Sequence, residues 1–163
     1  MKPEKILKQV QHVRDAFHDK HMHVFGVGGT ATLHIAALLG VDTVDSAGWR
    51  NRAARGIIIL PGSGERVIAE LGNWRGRRVS EEEQQTLLGC ECPACREHGM
   101  EGLEANKSFG FYNRATHNLW VLLKEKEWLD TNLANDTYVE NYKDHLHNTI
   151  YKPLIDKLVL DDE

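Results

Sequence analysis

HVFGVGGTATLHIAALLGVDTVDS, residues 23–46, reads as one β-α-β unit. HVFGVGG is a short apolar run closed by glycines, which suits a strand ending in a tight turn. TATLHIAALLG is apolar nearly all round and stops at Gly40, the pattern of a buried helix with a glycine end. VDTVDS then returns as a second short strand. Two strands joined through a helix run parallel, because only a crossover of that length can bring the chain back to the same end. Parallel strands are covered on both faces, so the fold class is α/β.

On the N-terminal side, Ile6, Val10, Val13 and Phe17 recur at steps of four, three and four, which predicts an amphipathic helix over residues 4–19. On the other side, GIIILPGSGERVIAEL, residues 56–71, reads as an apolar strand, a Pro-Gly-Ser-Gly turn, and then a second strand or the start of a helix. Ser80 with Glu83 three residues on is a helix-capping signature. Residues 113–129 and 135–159 read as helical, with Trp120, Leu123 and Trp128 as apolar bulk.

The bulk numbers set the frame. A chain of 163 residues is one domain's worth, and 41% apolar with 27% charged residues is ordinary globular composition. No apolar run approaches the roughly 20 residues of a membrane span, and the start MKPEKILKQVQHV lacks a signal-peptide core, so a soluble, cytoplasmic protein is expected. The net charge is −4, yet between Arg50 and Arg78 seven arginines meet only Glu65 and Glu70. An acidic chain thus carries one basic segment.

The three cysteines fall in GCECPACREHG, residues 89–99. An odd number this close together is a poor disulfide layout, whereas thiolates two and three residues apart can turn toward one metal ion. Cys90, Cys92 and Cys95 are therefore candidate zinc ligands. They leave one tetrahedral position, for which spacing leaves both His98 and His117 open. With no position left for water the site is structural. His18, His21 and His23 offer a second grouping that surface histidines also explain.

Gly26-x-Gly28-x-x-Ala31, between a strand and a helix and followed by Asp45, satisfies the loose form of a dinucleotide fingerprint. A tight strand-to-helix turn explains the same glycines. Asp42 and Asp45 sit three apart, so strand alternation sends them to opposite faces. An aspartate at the C-terminal end of a parallel strand stands where α/β folds place reactive groups, which makes Asp45 a catalytic candidate; a turn cap is its other reading. Arg50, Arg52 and Arg55 follow directly, and guanidinium groups beside a catalytic acid suit a phosphate-bearing substrate.

HVFGVGG, then GVDTVDS, CECPAC and RATHN together, in this order and spacing, resemble the C-terminal part of the tRNA-guanine transglycosylase superfamily over residues 20–120. The resemblance implies the C-terminal portion of a TIM-type (β/α) barrel, residues 1–79, with a zinc-binding helical subdomain, residues 80–163. It selects His117, followed by Asn118, over His98 as the fourth zinc ligand. It makes Asp45 the nucleophile of a base exchange that replaces guanine in a polynucleotide with a 7-deazaguanine of the queuosine or archaeosine kind. Phe25 falls where the family sets an apolar side chain against the base, Gly26 where close approach to it is needed, and Arg50, Arg52 and Arg55 would hold flanking phosphates.

The family's enzymes are complete eight-stranded barrels, and this sequence matches from the helix before the seventh strand. A partner subunit or second copy is therefore expected to complete the barrel. SAGWRNRAARG after Asp45 departs from the usual tRNA-enzyme pattern, which leaves tRNA, the favoured substrate, beside DNA. The rival from another class is a non-catalytic nucleic-acid-binding accessory subunit in which Asp45 is structural. A nicotinamide-dependent enzyme rests on the glycine fingerprint alone.

Overall fold

The β-α-β unit of residues 23–46 is present in the computed structural model, which describes residues 3–72, 75–147 and 151–161. Strand β1 (His23–Val24) pairs in parallel with β2 (Thr43–Val44), His23 beside Thr43 and Val24 beside Val44, and helix α2 (Thr30–Leu38) makes the crossover. The two aspartates stitch this unit together from its ends. Asp42 accepts the Met22 N–H at 2.7 Å, before the strands, and Asp45 accepts the Gly26 N–H at 3.0 Å, after them. Gly28 brings the turn after β1 against the turn after β2, since a Cβ there would lie 2.1 Å from the Ser46 Cβ. The close approach that a dinucleotide fingerprint reserves for a pyrophosphate is thus filled by this chain's own Ser46.

Ahead of this unit, α1 (Pro3–Ala16) ends earlier than the predicted 4–19, because the Arg14 guanidinium takes the Phe17 carbonyl and, at 2.6 Å, that of Lys20. Arg14 also reaches the Gly40 carbonyl at 3.0 Å and so ties α1 to the turn after α2. Beyond it, α3 (Gly48–Ala54) leads into an antiparallel hairpin of β3 (Ile57–Leu60) and β4 (Gly64–Val67). The second half of GIIILPGSGERVIAEL is therefore a strand, not a helix start. β3 is buried along its whole length, as an unbroken Ile-Ile-Ile-Leu run requires.

Helix α4 (Glu81–Leu88) opens with the expected cap, the Glu83 N–H donating to Ser80 Oγ at 3.2 Å and the Ser80 N–H to Glu83 Oε1 at 3.1 Å. Next come α5 (Pro93–Glu104) and α6 (Lys107–Ala134), whose 28 residues run roughly 42 Å. The helix expected over 135–159 is two helices, α7 (Tyr138–His145) and α8 (Lys152–Asp161), with residues 148–150 outside those described. Two causes separate them. The His147 N–H leaves the helical ladder to donate to the Gly62 carbonyl at 2.9 Å, and Pro153 has no N–H and belongs in a helix's first turn.

α6 is the spine. Ala31 and Ile35 of α2 meet Leu129, Tyr138, Tyr142, Leu146, Ile155 and Val159 in one core cluster. Ile58 and Leu60 of the hairpin meet Leu87 and Leu103 in a second, and Ile59 meets Val121 and Leu122 in a third. The described residues are thus a mixed, mainly helical α/β fold with two separate two-stranded sheets. No helix among them is long and apolar enough to cross a membrane.

Candidate metal centre and candidate nucleophile

The cysteine loop is shaped by its own capping. Cys92 is the N-cap of α5, its sulfur accepting the Cys95 N–H at 3.2 Å, and Pro93 takes the first helical position, where a missing N–H costs nothing. Cys90 lies two residues back, just past the end of α4. This turns three sulfurs toward α6, where His117 Nδ1 stands 3.5 Å from Cys90 Sγ, 3.7 Å from Cys92 Sγ and 3.5 Å from Cys95 Sγ. All four ligand atoms lie within 4.8 Å of one another. His98, the alternative from spacing, instead packs its ring edge-on to Phe109 at 4.9 Å.

The donor set suits a dication. Hydrogen bonds from Cys92 and then Cys95 drive the Cys90 thiol well below its ordinary value, while the bonds to Cys90 and Cys92 push Cys95 well above. Burial would lower the His117 imidazole, but hydrogen bonds to Cys90 and Cys92 outweigh it and raise it to about 9. Three thiols crowded in this way resist ionising together, which a bound cation would allow. His117 Nε2 donates to the Ile59 carbonyl at 3.0 Å, which leaves Nδ1 as the metal-facing nitrogen.

The neighbouring Asn118 completes that contact. Its Oδ1 accepts the Ile59 N–H at 2.8 Å, and its Nδ2 donates to the Ile57 and Trp49 carbonyls, each at 3.1 Å. His117 and Asn118 therefore satisfy the edge of β3 that β4 leaves unpaired, with side chains in place of a strand. Four residues earlier, the buried Arg114 donates to the carbonyls of Ala53 at 2.8 Å, Leu103 at 2.9 Å and Ala105 at 2.6 Å. Burial lowers its ordinarily very high pKa. Spacing alone gives Arg114 and Asn118 no partner; polar residues recurring at helical spacing on a buried stripe are the signal that marks them.

Asp45 sits at the C-terminal end of β2, more than half exposed, its Oδ1 held by the Gly26 N–H and its Oδ2 3.5 Å from His23 Nε2. The other nitrogen of His23 meets Thr43 Oγ1 at 2.8 Å. Gly26 has φ +73°, a left-handed conformation that glycine adopts freely. Phe25, 79% exposed, meets the His23 ring edge-on at 4.6 Å. Asp45 also lines a cleft of about 340 Å³ with Gly28, Ser46, Trp49 and Leu122. Phe25, Gly26 and Asp45 thus gather at one end of the parallel pair.

The arginines are less concentrated. Arg52 is paired with Glu65, and Arg50 and Arg55 are exposed on α3 and just beyond it. His18, His21 and His23 form no metal-ligating group among the described residues. His21 instead meets Thr43 Oγ1 at 3.3 Å.

The profile of the TGT family, described as Queuine tRNA-ribosyltransferase, matches residues 2–150. Over 110 residues the chain is 30% identical to the tRNA-guanine(15) transglycosylase of Pyrococcus abyssi, covering 67% of this chain and 16% of that protein. The corresponding protein of Pyrococcus furiosus is 28% identical over 108 residues, 66% of this chain and 16% of its own length. A Queuine tRNA-ribosyltransferase of Bacillus licheniformis is 29% identical over 110 residues, 65% of this chain and 27% of its own. The aligned region is therefore a minor part of each relative. Because the family profile runs through nearly all of the sequence, this chain belongs to the Queuine tRNA-ribosyltransferase (TGT) family.

Proposed function

We propose that this chain carries the nucleophile strand and the structural zinc module of a base-exchange transglycosylase that replaces guanine in tRNA with a 7-deazaguanine. The observation that carries the reading is the carboxylate of Asp45, fixed at a strand end by the Gly26 N–H beside the exposed Phe25. In this reading Asp45 attacks the sugar C1′ as the guanine leaves, its carboxylate first sharing the oxocarbenium charge and then bonding to carbon. The incoming base attacks the same carbon from the opposite face and returns the carboxylate. Two inversions retain the configuration.

The Gly26 N–H serves this chemistry by aiming one oxygen, while the other, 3.5 Å from His23 Nε2, would turn to the sugar. Phe25 would lie against the base, and Arg50, Arg52 and Arg55 against flanking phosphates, with Arg52 exchanging Glu65 for a phosphate. Cys90, Cys92, Cys95 and His117 would hold Zn²⁺, which neutralises the thiolates and braces residues 80–163 against the β3–β4 hairpin. Residues 1–79 would be the last part of a (β/α) barrel. The β1–β2 pair is only two residues long, and in this reading a partner chain supplies the strands that flank it.

The test is incorporation of radiolabelled guanine into tRNA by the chain together with the protein that supplies those strands. Asp45-dependent exchange, with an adduct of protein and RNA on a denaturing gel, supports the reading. Exchange that survives Asp45→Asn would overturn it and leave an accessory binding role. Exchange into DNA and not tRNA would reassign the polynucleotide.

A further inference from the structure

Two groups of metal-ligating side chains converge among the described residues, and only one contains cysteine. The other joins His34 of α2, Glu125 of α6 and His145 of α7. Glu125 Oε1 is approached by His34 Nε2 at 2.5 Å and by His145 Nε2 at 2.7 Å, and all three ligand atoms lie within 4.8 Å. His34 and Glu125 are buried, at 0% and 3% exposure. Among the described residues, the ion-pair partners of Glu125 are these two histidines.

The box offers a cation two imidazole nitrogens and one carboxylate oxygen inside an aromatic enclosure, where Trp128 stacks on His145 at 3.9 Å and Tyr138 flanks His34. Tyr138 fixes the His34 ring through a 2.8 Å hydrogen bond at Nδ1, the outer contact that orients a ligating imidazole with Nε2 forward. The side chain of His145 is 23% exposed, which gives an ion a way in.

We propose that His34, Glu125 and His145 form a second metal site, which takes a divalent transition-metal ion, zinc foremost, through two imidazole Nε2 atoms and one carboxylate oxygen. Two imidazoles and a carboxylate match borderline ions such as Zn²⁺ and Co²⁺, not the all-oxygen preference of Mg²⁺ or Ca²⁺. Ligand bonds of about 2.0–2.2 Å need donor separations of roughly 3.2–3.6 Å, a widening of about 1 Å or less for the two measured contacts. Its three ligands come from α2, α6 and α7, so the ion fastens the β-α-β unit to the C-terminal helices. One helix serves both sites, since Glu125 lies eight residues after His117, or about 12 Å along α6.

The test is Co²⁺ titration of the purified chain, with metal content by mass spectrometry of the zinc-loaded protein after a weak-chelator wash. The wild type is expected to take one equivalent with an intense sulfur-to-cobalt charge-transfer band, and a second that adds only weak visible bands. Glu125→Gln and His145→Gln should each lose the second equivalent and keep the first, whose thiolate band certifies a folded α6. A single equivalent in the wild type would overturn the proposal whatever the variants do, as would a second equivalent that survives both substitutions. The readout needs no activity, so its failure is distinct from any failure of the base-exchange reading.

Discussion

Nε2 of His117 lies 3.0 Å from the carbonyl oxygen of Ile59, so a single imidazole links the cysteine loop to the buried strand β3. His117→Ala therefore removes a candidate metal ligand and leaves a buried carbonyl unpaired. We expect loss of the thiolate-bound metal and destabilisation by about 3 kcal/mol or more, read by metal analysis and urea unfolding. A strong chelator should likewise loosen α4 and α5 from the hairpin, seen as lost helical circular dichroism; unchanged spectra in chelator would contradict a structural role for the ion.

Asn118 bears more of the hairpin's polarity than its neighbour His117, because it satisfies one backbone donor and two carbonyls from zero exposure. Asn118→Ala leaves three buried groups without partners and should cost about 3 kcal/mol, measured by chemical denaturation with zinc in excess. Asn118→Asp keeps the acceptor but turns a buried carboxylate oxygen onto the Ile57 and Trp49 carbonyls, and should cost at least as much. Metal stoichiometry should not change in either variant.

At the candidate nucleophile the expected effects on activity and stability separate. Asp45 is exposed, so Asp45→Asn should shift stability by only about 0.5 kcal/mol while exchange by the assembled enzyme falls on the order of 10³-fold or more. Gly26→Ala meets no atom within 4 Å of the added Cβ, and its cost is the left-handed φ, about 1 kcal/mol in thermal or chemical unfolding. Its effect on exchange should exceed that cost, because the N–H that aims Asp45 moves with the backbone.

What the sequence disclosed was what short-range chemistry decides. The glycine-ended strand, the all-round apolar helix and Gly40 located β1, α2 and β2, and the Cys-x-Cys-x-x-Cys spacing located three converging sulfurs. It could not say that Gly26 would hold Asp45, nor that β4 would be a strand, since Gly-Glu-Arg-Val is too short to show a period. Spacing alone left His98 and His117 both open; the fold brings only His117 to the sulfurs. The partners of Arg114 and Glu125 were out of reach, because Ala53 is 61 residues from the one and His34 is 91 from the other. The single helix read over 135–159 failed in part for the same reason, one cause of its break being a contact with Gly62.

Glu83 couples the start of α4 to the hairpin and gives the stability a pH dependence of definite sign. Its carboxylate accepts the Arg66 Nε–H through both oxygens, at 3.1 and 2.9 Å, as well as the Ser80 N–H. Burial raises its pKa, but the Ser80 N–H and the Arg66 guanidinium outweigh it and hold the folded value below the ordinary 4.5. The unfolded chain therefore binds the proton more readily. The stabilisation is fully present above about pH 4.5 and is lost as the pH falls through the lower, folded value. Glu83→Gln should cost about 1–2 kcal/mol at pH 7, and the gap to wild type should shrink as the pH falls below 4.5. Acid also protonates the cysteine site, but it does so in both proteins, so the difference isolates this pair. A gap that stays constant from pH 7 down to the acid transition would mean that Glu83 acts through packing and not through its charge.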